Sequence, residues 1–98
     1  MNKIINLAIQ VLPTSDEDNA YEIIDKAIEV IAKSGIKYKV CPFETVLEGT
    51  YEHAMQVLTD VRTACFAAGA KQVIVNMKLQ EKATESVFID DKMEKYKD

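Results

Sequence analysis

The sequence predicts an α+β fold in which a single antiparallel sheet carries two helices on one of its faces. Segments in which apolar and polar residues alternate, the period of a half-buried strand, open the chain, occupy its middle and return before its end. Two segments with apolar residues at steps of three and four, the period of an amphipathic helix, separate them. A glycine follows each helical segment, where helices commonly end in the left-handed conformation. The predicted element order is therefore βαββαβ.

The first strand and the first helix are predicted from the opening third of the chain. The strand alternates between two faces. The apolar face carries Ile5, Leu7, Ile9 and Val11, and the small or polar face carries Asn6, Ala8 and Gln10. The acidic run 16–18 suits the first turn of the helix, where carboxylates meet the positive end of the dipole. The helix is expected to end at Gly35, and its apolar stripe is Ala20, Ile24, Ala27, Ile28 and Ile31.

A hairpin and a second helix are predicted for the middle of the chain. Residues 36–41 alternate and include lysines, which marks an edge strand, and residues 42–44 turn into the return strand 45–48. Thr50 is placed to cap the second helix, which is expected to end at Gly69. The apolar positions of this helix are Tyr51, Ala54, Leu58, Val61 and Cys65.

The last strand is predicted over residues 72–80, followed by a loop over 81–86 and a short helix over 87–96. Two right-handed crossovers on one antiparallel sheet give a ferredoxin-like βαββαβ sandwich with strand order 4-1-3-2. A swapped or mixed α+β arrangement of the same elements is the alternative. The predicted core is Ile5, Leu7, Ile9, Ile24, Ile28, Leu47, Leu58, Val61, Val73 and Val75.

Composition and charge narrow the classes of function. A chain of 98 residues suffices for one core, and we predict that residues 1–98 form one domain. The net charge is -4 and Arg62 is the only arginine, which argues against a nucleic-acid partner, because phosphate neutralisation needs clustered basic residues. No apolar run approaches the roughly 20 residues of a membrane span, and no signal peptide is recognised. Cys41 and Cys65 lack the spacing of a metal or redox pair, so we predict reduced thiols in a cytoplasmic protein, with a disulfide as the alternative.

The sheet face that the helices leave open carries the candidate functional residues. This face is too apolar in patches for plain solvent exposure, so we predict that it contacts another subunit of a homodimer or homotetramer and leaves a polar pocket. Its residues are Asn6, Ala8, Gln10, Val46, Glu48, Ile74, Asn76 and Lys78.

The expected register places Ala8 between Glu48 and Asn76. A carboxylate beside amides suits an aminopyrimidine, because the carboxylate accepts the ring-nitrogen proton and amide oxygens accept from the exocyclic amine. The chemistry of the residues leaves a plainer alternative open, in which Glu48 forms an ion pair with Lys78 or Lys39 across the sheet.

Five segments, taken together and in order, resemble the small thiamine-binding protein family, whose members are ferredoxin-like and oligomeric. The most specific is the Thr-x-x-Glu-Gly strand at 45–49. The others are the sequences Gln-Val-Leu-Pro at 10–13, Gly-Ile-Lys-Tyr at 35–38, Gly-Ala-Lys-Gln-Val at 69–73 and Asp-Lys-Met-Glu at 91–94. Many members carry Pro-x-Gly-Thr-x-Ser after the first strand, where this chain reads Pro-Thr-Ser-Asp-Glu at 13–17, so contacts from that loop are not carried over.

The resemblance implies that the protein binds thiamine or its hydroxymethylpyrimidine part without turning it over and needs no cofactor or metal. The expected ligand contacts are Glu48 for the ring-nitrogen proton, Asn76 and Gln10 for amide hydrogen bonds, and Thr45 for a hydroxyl at the strand entrance.

Two other functions fit parts of the pattern. An oligomeric regulatory domain of the amino-acid-sensing kind would share the fold, but such domains are usually attached to an enzyme. An acylphosphatase-like enzyme would also share it, but that activity needs an arginine in a phosphate-binding loop after the first strand, where this chain is acidic. His53, the only histidine, lacks the further histidine or paired cysteine of a metal site.

Overall fold

The computed structural model describes residues 2–96, which form one antiparallel sheet with two long helices on one face. The strand order is β2-β3-β1-β4, the predicted order read from the opposite edge, and the ferredoxin-like fold is confirmed. The elements are β1 (Ile4–Thr14), α1 (Ala20–Lys33), β2 (Lys37–Val40), β3 (Thr45–Thr50), α2 (Tyr51–Ala67), β4 (Gln72–Gln80), α3 (Ile89–Met93) and a final 3-10 turn (Glu94–Tyr96).

The central strand β1 pairs with β3 on one side and with β4 on the other. Its alternating pattern buries Ile5, Leu7 and Ile9 against the helices, as predicted. The other side chains of the core come from both long helices and from β3, and include Ile23, Ala27, Ile31, Leu47, Ala54, Val57, Leu58, Val61 and Cys65.

Helix α1 differs from its prediction in where it begins and in which residues it buries. It begins at Ala20, and the acidic run 16–18 lies before it, because the chain bends there and the Asn19 N–H donates to the Glu17 carbonyl at 2.9 Å. The buried stripe contains Ile23, whereas the predicted core residues Ile24 and Ile28 are only half-buried. Both isoleucines lie on the neighbouring flank of the helix, where they border a groove described below.

Helix α2 follows β3 without a loop. The Thr50 hydroxyl accepts a hydrogen bond from the His53 N–H at 3.2 Å and caps the helix, as predicted. The glycines that follow α1 and α2, Gly35 and Gly69, have φ values of 82° and 108°, which side chains with a Cβ rarely adopt.

The edge strand β4 and the chain after it depart further from the prediction. Val73 and Val75, predicted as core, are only partly buried, because β4 lies at the sheet edge beyond the full cover of the helices. The C-terminal helix begins at Ile89 instead of residue 87. Val87 is buried in an extended stretch, and its N–H donates to the Ile4 carbonyl at 2.9 Å.

Truncation of Leu7 or Leu58 to alanine should lower the free energy of unfolding by about 2–5 kcal/mol, because each change leaves a cavity in a closely packed core. Leu12→Ala is the matched control, since the Leu12 side chain is 42% exposed and its truncation should cost far less. Urea unfolding of the three variants measures the difference. Equal losses for Leu7→Ala and Leu12→Ala would contradict this description of the core.

Candidate functional site

The register between β1 and β3 places Glu48 opposite Asn6, and Val46 opposite Ala8. The prediction that these side chains share the open face is therefore confirmed. The predicted placement of Glu48 beside Ala8 is wrong by two residues. β3 runs directly into α2, so the strand extends to Thr50 and pairs with the very start of β1. A shift of two residues keeps every side chain on its face, which is why the alternation could not reveal it.

The register between β1 and β4 is shifted in the same way. Asn76 lies opposite Gln10, and Lys78 lies opposite Ala8. Glu48 and Asn76, which were expected to flank one residue, therefore lie at different heights on the open face. The structure brings Gln10 and Asn76 together and leaves Glu48 apart from both.

Glu48 is buried and engaged within the chain. Its carboxylate accepts a hydrogen bond from the Ile89 N–H at 2.6 Å, at the first residue of α3, and lies 3.3 Å from Lys37 Nζ. Lys37 Nζ also donates to Asp90 Oδ2 at 3.2 Å, and the hydrogen bonds that the lysine donates to Asp90 and Glu48 raise its pKa above the ordinary value. A lysine whose pKa is higher in the folded protein than in the unfolded chain stabilises the fold at every pH below its unfolded pKa. This stabilisation is lost only as the pH rises through the folded pKa, so these contacts persist at neutral pH. The ion pair left open above therefore exists, with Lys37 in place of Lys78 or Lys39.

The C-terminal segment, residues 86–96, crosses the open face over Asn6 and Glu48. The Ile4 N–H donates to the Ser86 hydroxyl at 2.9 Å, and Asn6 Nδ2 donates to the Val87 carbonyl at 3.1 Å. Lys92 Nζ donates to Gln80 Oε1 at 2.7 Å, which ties α3 back to the end of β4. Asn6 Oδ1 is buried and has no partner among the described residues. This half of the open face is closed by the chain itself.

The other half of the open face contains a polar hollow. Asn76 Nδ2 donates to Gln10 Oε1 at 3.1 Å and forms its amide floor. The Glu44 carboxylate, 3.8 Å from Lys78 Nζ, supplies a carboxylate at the rim, and the Phe43 ring is 82% exposed beside it. The hollow has a volume of about 440 Å³ and is lined by Gln10, Phe43, Glu44, Asn76, Met77 and Lys78.

Thr45 lies on the opposite side of the sheet from Asn76. It is paired with Ile9 and Val40 and faces the helices, where it lines an apolar groove of about 240 Å³ between α1 and the β2–β3 turn. Gln10, Phe43 and Glu44 line both the polar hollow and the apolar groove. Three of the four predicted contacts thus surround the same end of the sheet, but on two faces.

Sequence reasoning missed Phe43 and Glu44, which it assigned only to a turn. The turn joins β2 to β3 at the end of the sheet where Ile9 pairs with Thr45, so its residues reach the height of Gln10. The sequence signal for this site was the carboxylate in the β2–β3 turn. It could have been used only if the register of β3 against β1 had been known, because that register sets the position of the turn. This placement gives the polar hollow the combination that the sequence assigned to Glu48, a carboxylate beside two amides.

Other chemical groups of the described chain lie outside this site. Within residues 2–96, no three His, Cys, Asp or Glu side chains are grouped so as to hold a metal ion. His53 Nε2 lies 3.2 Å from the Ser34 carbonyl. Cys41 and Cys65 are free, as predicted, and burial raises the pKa of the Cys65 thiol. None of the helices that the structure describes is long and apolar enough to cross a membrane.

Comparison with known proteins agrees with this fold. The family model described as thiamine-binding protein matches residues 7–97. A UPF0045 protein of Clostridium perfringens is 34% identical over 92 residues, which cover 94% of this chain and 96% of that protein.

Two solved structures extend the comparison. A domain of unknown function, DUF77, from Bacillus cereus superimposes with a TM-score of 0.96 at 36% identity, covering 100% of this chain and 94% of the other. A Thermotoga maritima protein proposed to act in thiamine biosynthesis or salvage has a TM-score of 0.85 at 30% identity, covering 96% of this chain and 99% of the other.

Replacement of Glu48 by glutamine should loosen the C-terminal segment without unfolding the sheet. A charged hydrogen bond contributes about 1.5–3 kcal/mol, so exchange of the Ile89 amide hydrogen should accelerate by about tenfold or more. Hydrogen exchange followed by NMR measures this rate, with urea unfolding to report the global stability.

Glu44→Gln is the matched control, because Glu44 lines the polar hollow and its carboxylate faces Lys78. It should leave the exchange of the Ile89 amide at the parent rate. Parent-like exchange in Glu48→Gln would show that the carboxylate does not hold the segment.

Proposed function

Because the chain belongs to the thiamine-binding protein family, we propose that it binds thiamine or the hydroxymethylpyrimidine part of thiamine and does not turn it over. The observation that carries the proposal is the polar hollow, where the Gln10–Asn76 amide pair and the Glu44 carboxylate converge. Its volume lies in the range of small-molecule sites, roughly 300–1,000 Å³.

The donor and acceptor pattern of the polar hollow suits an aminopyrimidine. The Glu44 carboxylate accepts a hydrogen bond from a protonated ring nitrogen, and an amide oxygen of Gln10 or Asn76 accepts one from the exocyclic amine. The contact of Glu44 with Lys78 is long, at 3.8 Å, and the Lys78 side chain is largely exposed, so the carboxylate is available to a ligand at little cost.

The exposed Phe43 ring supports the same ligand. A planar heteroaromatic ring stacks on it without competing for the polar floor, and a thiazolium cation gains from the negative face of the ring. Lys78 opposes the thiazolium charge, which favours an orientation with the pyrimidine over the amides and the cation beside Phe43.

Glu48 and Thr45 stay predictions as ligand contacts. Glu48 reaches a ligand only when the C-terminal segment leaves its carboxylate, and Thr45 reaches one only in the apolar groove. Glu44 and Glu48 are therefore alternative ligand carboxylates at two distinct sites. Mutation of each one separately tests which site binds the ligand.

We expect the protein to act as a cytoplasmic homodimer or homotetramer. Leu12 and Ile74 are exposed on the open face, next to the rows that carry Gln10 and Asn76. Apolar side chains grouped at the rim of a polar site are typical of a surface that contacts another subunit.

Calorimetric titration with thiamine and with hydroxymethylpyrimidine tests the proposal. Glu44→Gln should weaken binding by about 1.5–3 kcal/mol, roughly tenfold or more, because the charged hydrogen bond is lost while the shape is kept. Glu52→Gln, an exposed carboxylate in the first turn of α2, is the control and should bind like the parent.

The outcomes separate the sites. Weakening by Glu48→Gln and not by Glu44→Gln would place the ligand under the C-terminal segment. A parent protein that binds neither compound at millimolar concentration would contradict the function itself.

A further inference from the structure

Four polar side chains cross the whole sheet in one line beneath the C-terminal segment. Asn6 in β1 lies opposite Glu48 in β3 on one side and opposite Gln80 in β4 on the other. Glu48 in turn lies opposite Lys37 in β2. Because directly opposed residues share a face of the sheet, the four side chains stand side by side on the open face, one from each strand. We call these four residues the polar row.

The two middle members of the polar row bind the backbone of the C-terminal segment. Asn6 Nδ2 donates to the Val87 carbonyl at 3.1 Å, and the Ile89 N–H donates to Glu48 Oε1 at 2.6 Å. Asn6 and Glu48 are only 3% and 8% exposed. The buried part of the polar row is therefore occupied by main-chain groups of the same chain.

The two outer members of the polar row bind side chains of the C-terminal segment. Lys37 Nζ donates to Asp90 Oδ2 at 3.2 Å at the β2 edge of the sheet. Lys92 Nζ donates to Gln80 Oε1 at 2.7 Å at the β4 edge. The C-terminal segment thus contacts the polar row at both edges of the sheet and at its centre.

Apolar burial contributes little to holding the C-terminal segment. Among residues 86–96, all of which the structure describes, Val87 is the only buried one. Helix α3 has five residues, none of them buried, and a helix of that length is not stable in isolation. A segment with few buried apolar contacts opens at a lower free energy than the whole domain unfolds.

The C-terminal segment uses only half of the Asn6 carboxamide. This group presents a donor and an acceptor side by side, but Asn6 Oδ1 is buried and has no partner among the described residues. The Val87 carbonyl can pair only with the donor. A ligand edge that has an acceptor next to an N–H donor, as in a primary amide, a lactam or an aminopyrimidine, would pair with both.

Glu48 lies within reach of the same ligand. Directly opposed residues have Cβ atoms about 4.5–5.5 Å apart, so one small planar molecule can contact Asn6 and Glu48 together. Glu48 Oε1 would accept from it in place of the Ile89 N–H, while Lys37 Nζ stays 3.3 Å from Glu48 Oε2. Because Lys37 repels a second cation, the edge that fits is a neutral one.

We propose that the C-terminal segment is a strap that opens as one unit and competes with such a ligand for the polar row. The ligand binds only the open state and shifts the population toward it, because it pairs the acceptor that the closed state leaves unpaired. The choice of an aminopyrimidine as this ligand rests on the proposed function. The opening as one unit rests on contacts within this chain alone.

Hydrogen exchange without ligand tests the opening as one unit. The Val87 and Ile89 amide hydrogens should have equal opening free energies, below that of the Leu7 amide in the central strand. Asp90→Asn removes the contact at the β2 edge, and Gln80→Met removes the contact at the β4 edge. Either change should accelerate both exchange rates by one common factor, roughly two- to fivefold, as expected for an exposed polar contact.

Lys33→Gln is the matched control, because it removes an exposed ion pair with Glu29 in α1, at 2.7 Å, far from the polar row. It should leave the exchange of both amide hydrogens at the parent rate. Unequal acceleration of the Val87 and Ile89 amides, or exchange of either as slow as that of Leu7 in the parent, would overturn the opening as one unit.

Ligand addition tests the competition in a Glu44→Gln background, where binding at the polar hollow is weakened. Hydroxymethylpyrimidine, which carries an amine beside a ring nitrogen, should accelerate exchange of the Val87 and Ile89 amides. The thiazole part of thiamine lacks this edge and should leave both rates unchanged. In calorimetry, adding Asp90→Asn should tighten hydroxymethylpyrimidine binding by the same factor as it raises the open population, roughly two- to fivefold.

The outcomes separate this inference from the proposed function. Binding by the parent that is lost in Glu44→Gln, with unchanged exchange of the Val87 and Ile89 amides, would support the polar hollow and overturn the competition. Accelerated exchange together with parental affinity in Glu44→Gln would contradict the polar hollow and support the competition. Equal acceleration by the thiazole part would also overturn it, because the ligand edge would then have no role.

Discussion

The structure depends on the two-sided pairing of β1. This strand contributes Ile5, Leu7 and Ile9 to the core and fixes β3 and β4 on its two sides. Because side chains alternate strictly along a strand, burial of three apolar residues on one face places Asn6, Ala8 and Gln10 on the other. Every polar group of the open face, and hence each candidate ligand contact there, takes its position from this one strand.

Two carboxylates, Glu48 and Glu44, have different environments in the two halves of the open face. Glu48, in the middle of β3, accepts a hydrogen bond from the first N–H of α3 and forms an ion pair with Lys37. The C-terminal segment covers it. Glu44, in the turn before β3, stays at the rim of a hollow with two amides. A buried carboxylate is costly unless charged or N–H donors surround it, so Glu48 serves the fold, whereas Glu44 makes only a long contact with Lys78. Gly49, next to Glu48, shows how closely this region packs, because a Cβ there would lie 3.0 Å from the Ile36 side chain.

The proposed small-molecule site and the proposed subunit contact share the same strands. The residues of β4 that line the polar hollow also form the free edge of the sheet. Since a domain of this size covers only part of its sheet with two helices, it leaves apolar rows at the edge and polar rows on the open face. If the open face contacts another subunit through Leu12 and Ile74, association and ligand binding are expected to be linked, because this pair lies next to Gln10 and Asn76.

The sequence by itself determined the element order, the strand order and the division of side chains between the two sheet faces, because these follow from periodicity and from the handedness of crossovers. It also identified Gln10 and Asn76 as open-face amides and Thr50 as a helix cap. Only the tertiary structure decided the register, the rotation of α1 that buries Ile23 instead of Ile24, and the path of residues 86–96 over Glu48. A shift of two residues along a strand, or a small rotation of a helix with adjacent apolar stripes, leaves the sequence pattern unchanged, so packing and hydrogen bonding alone can select between the alternatives.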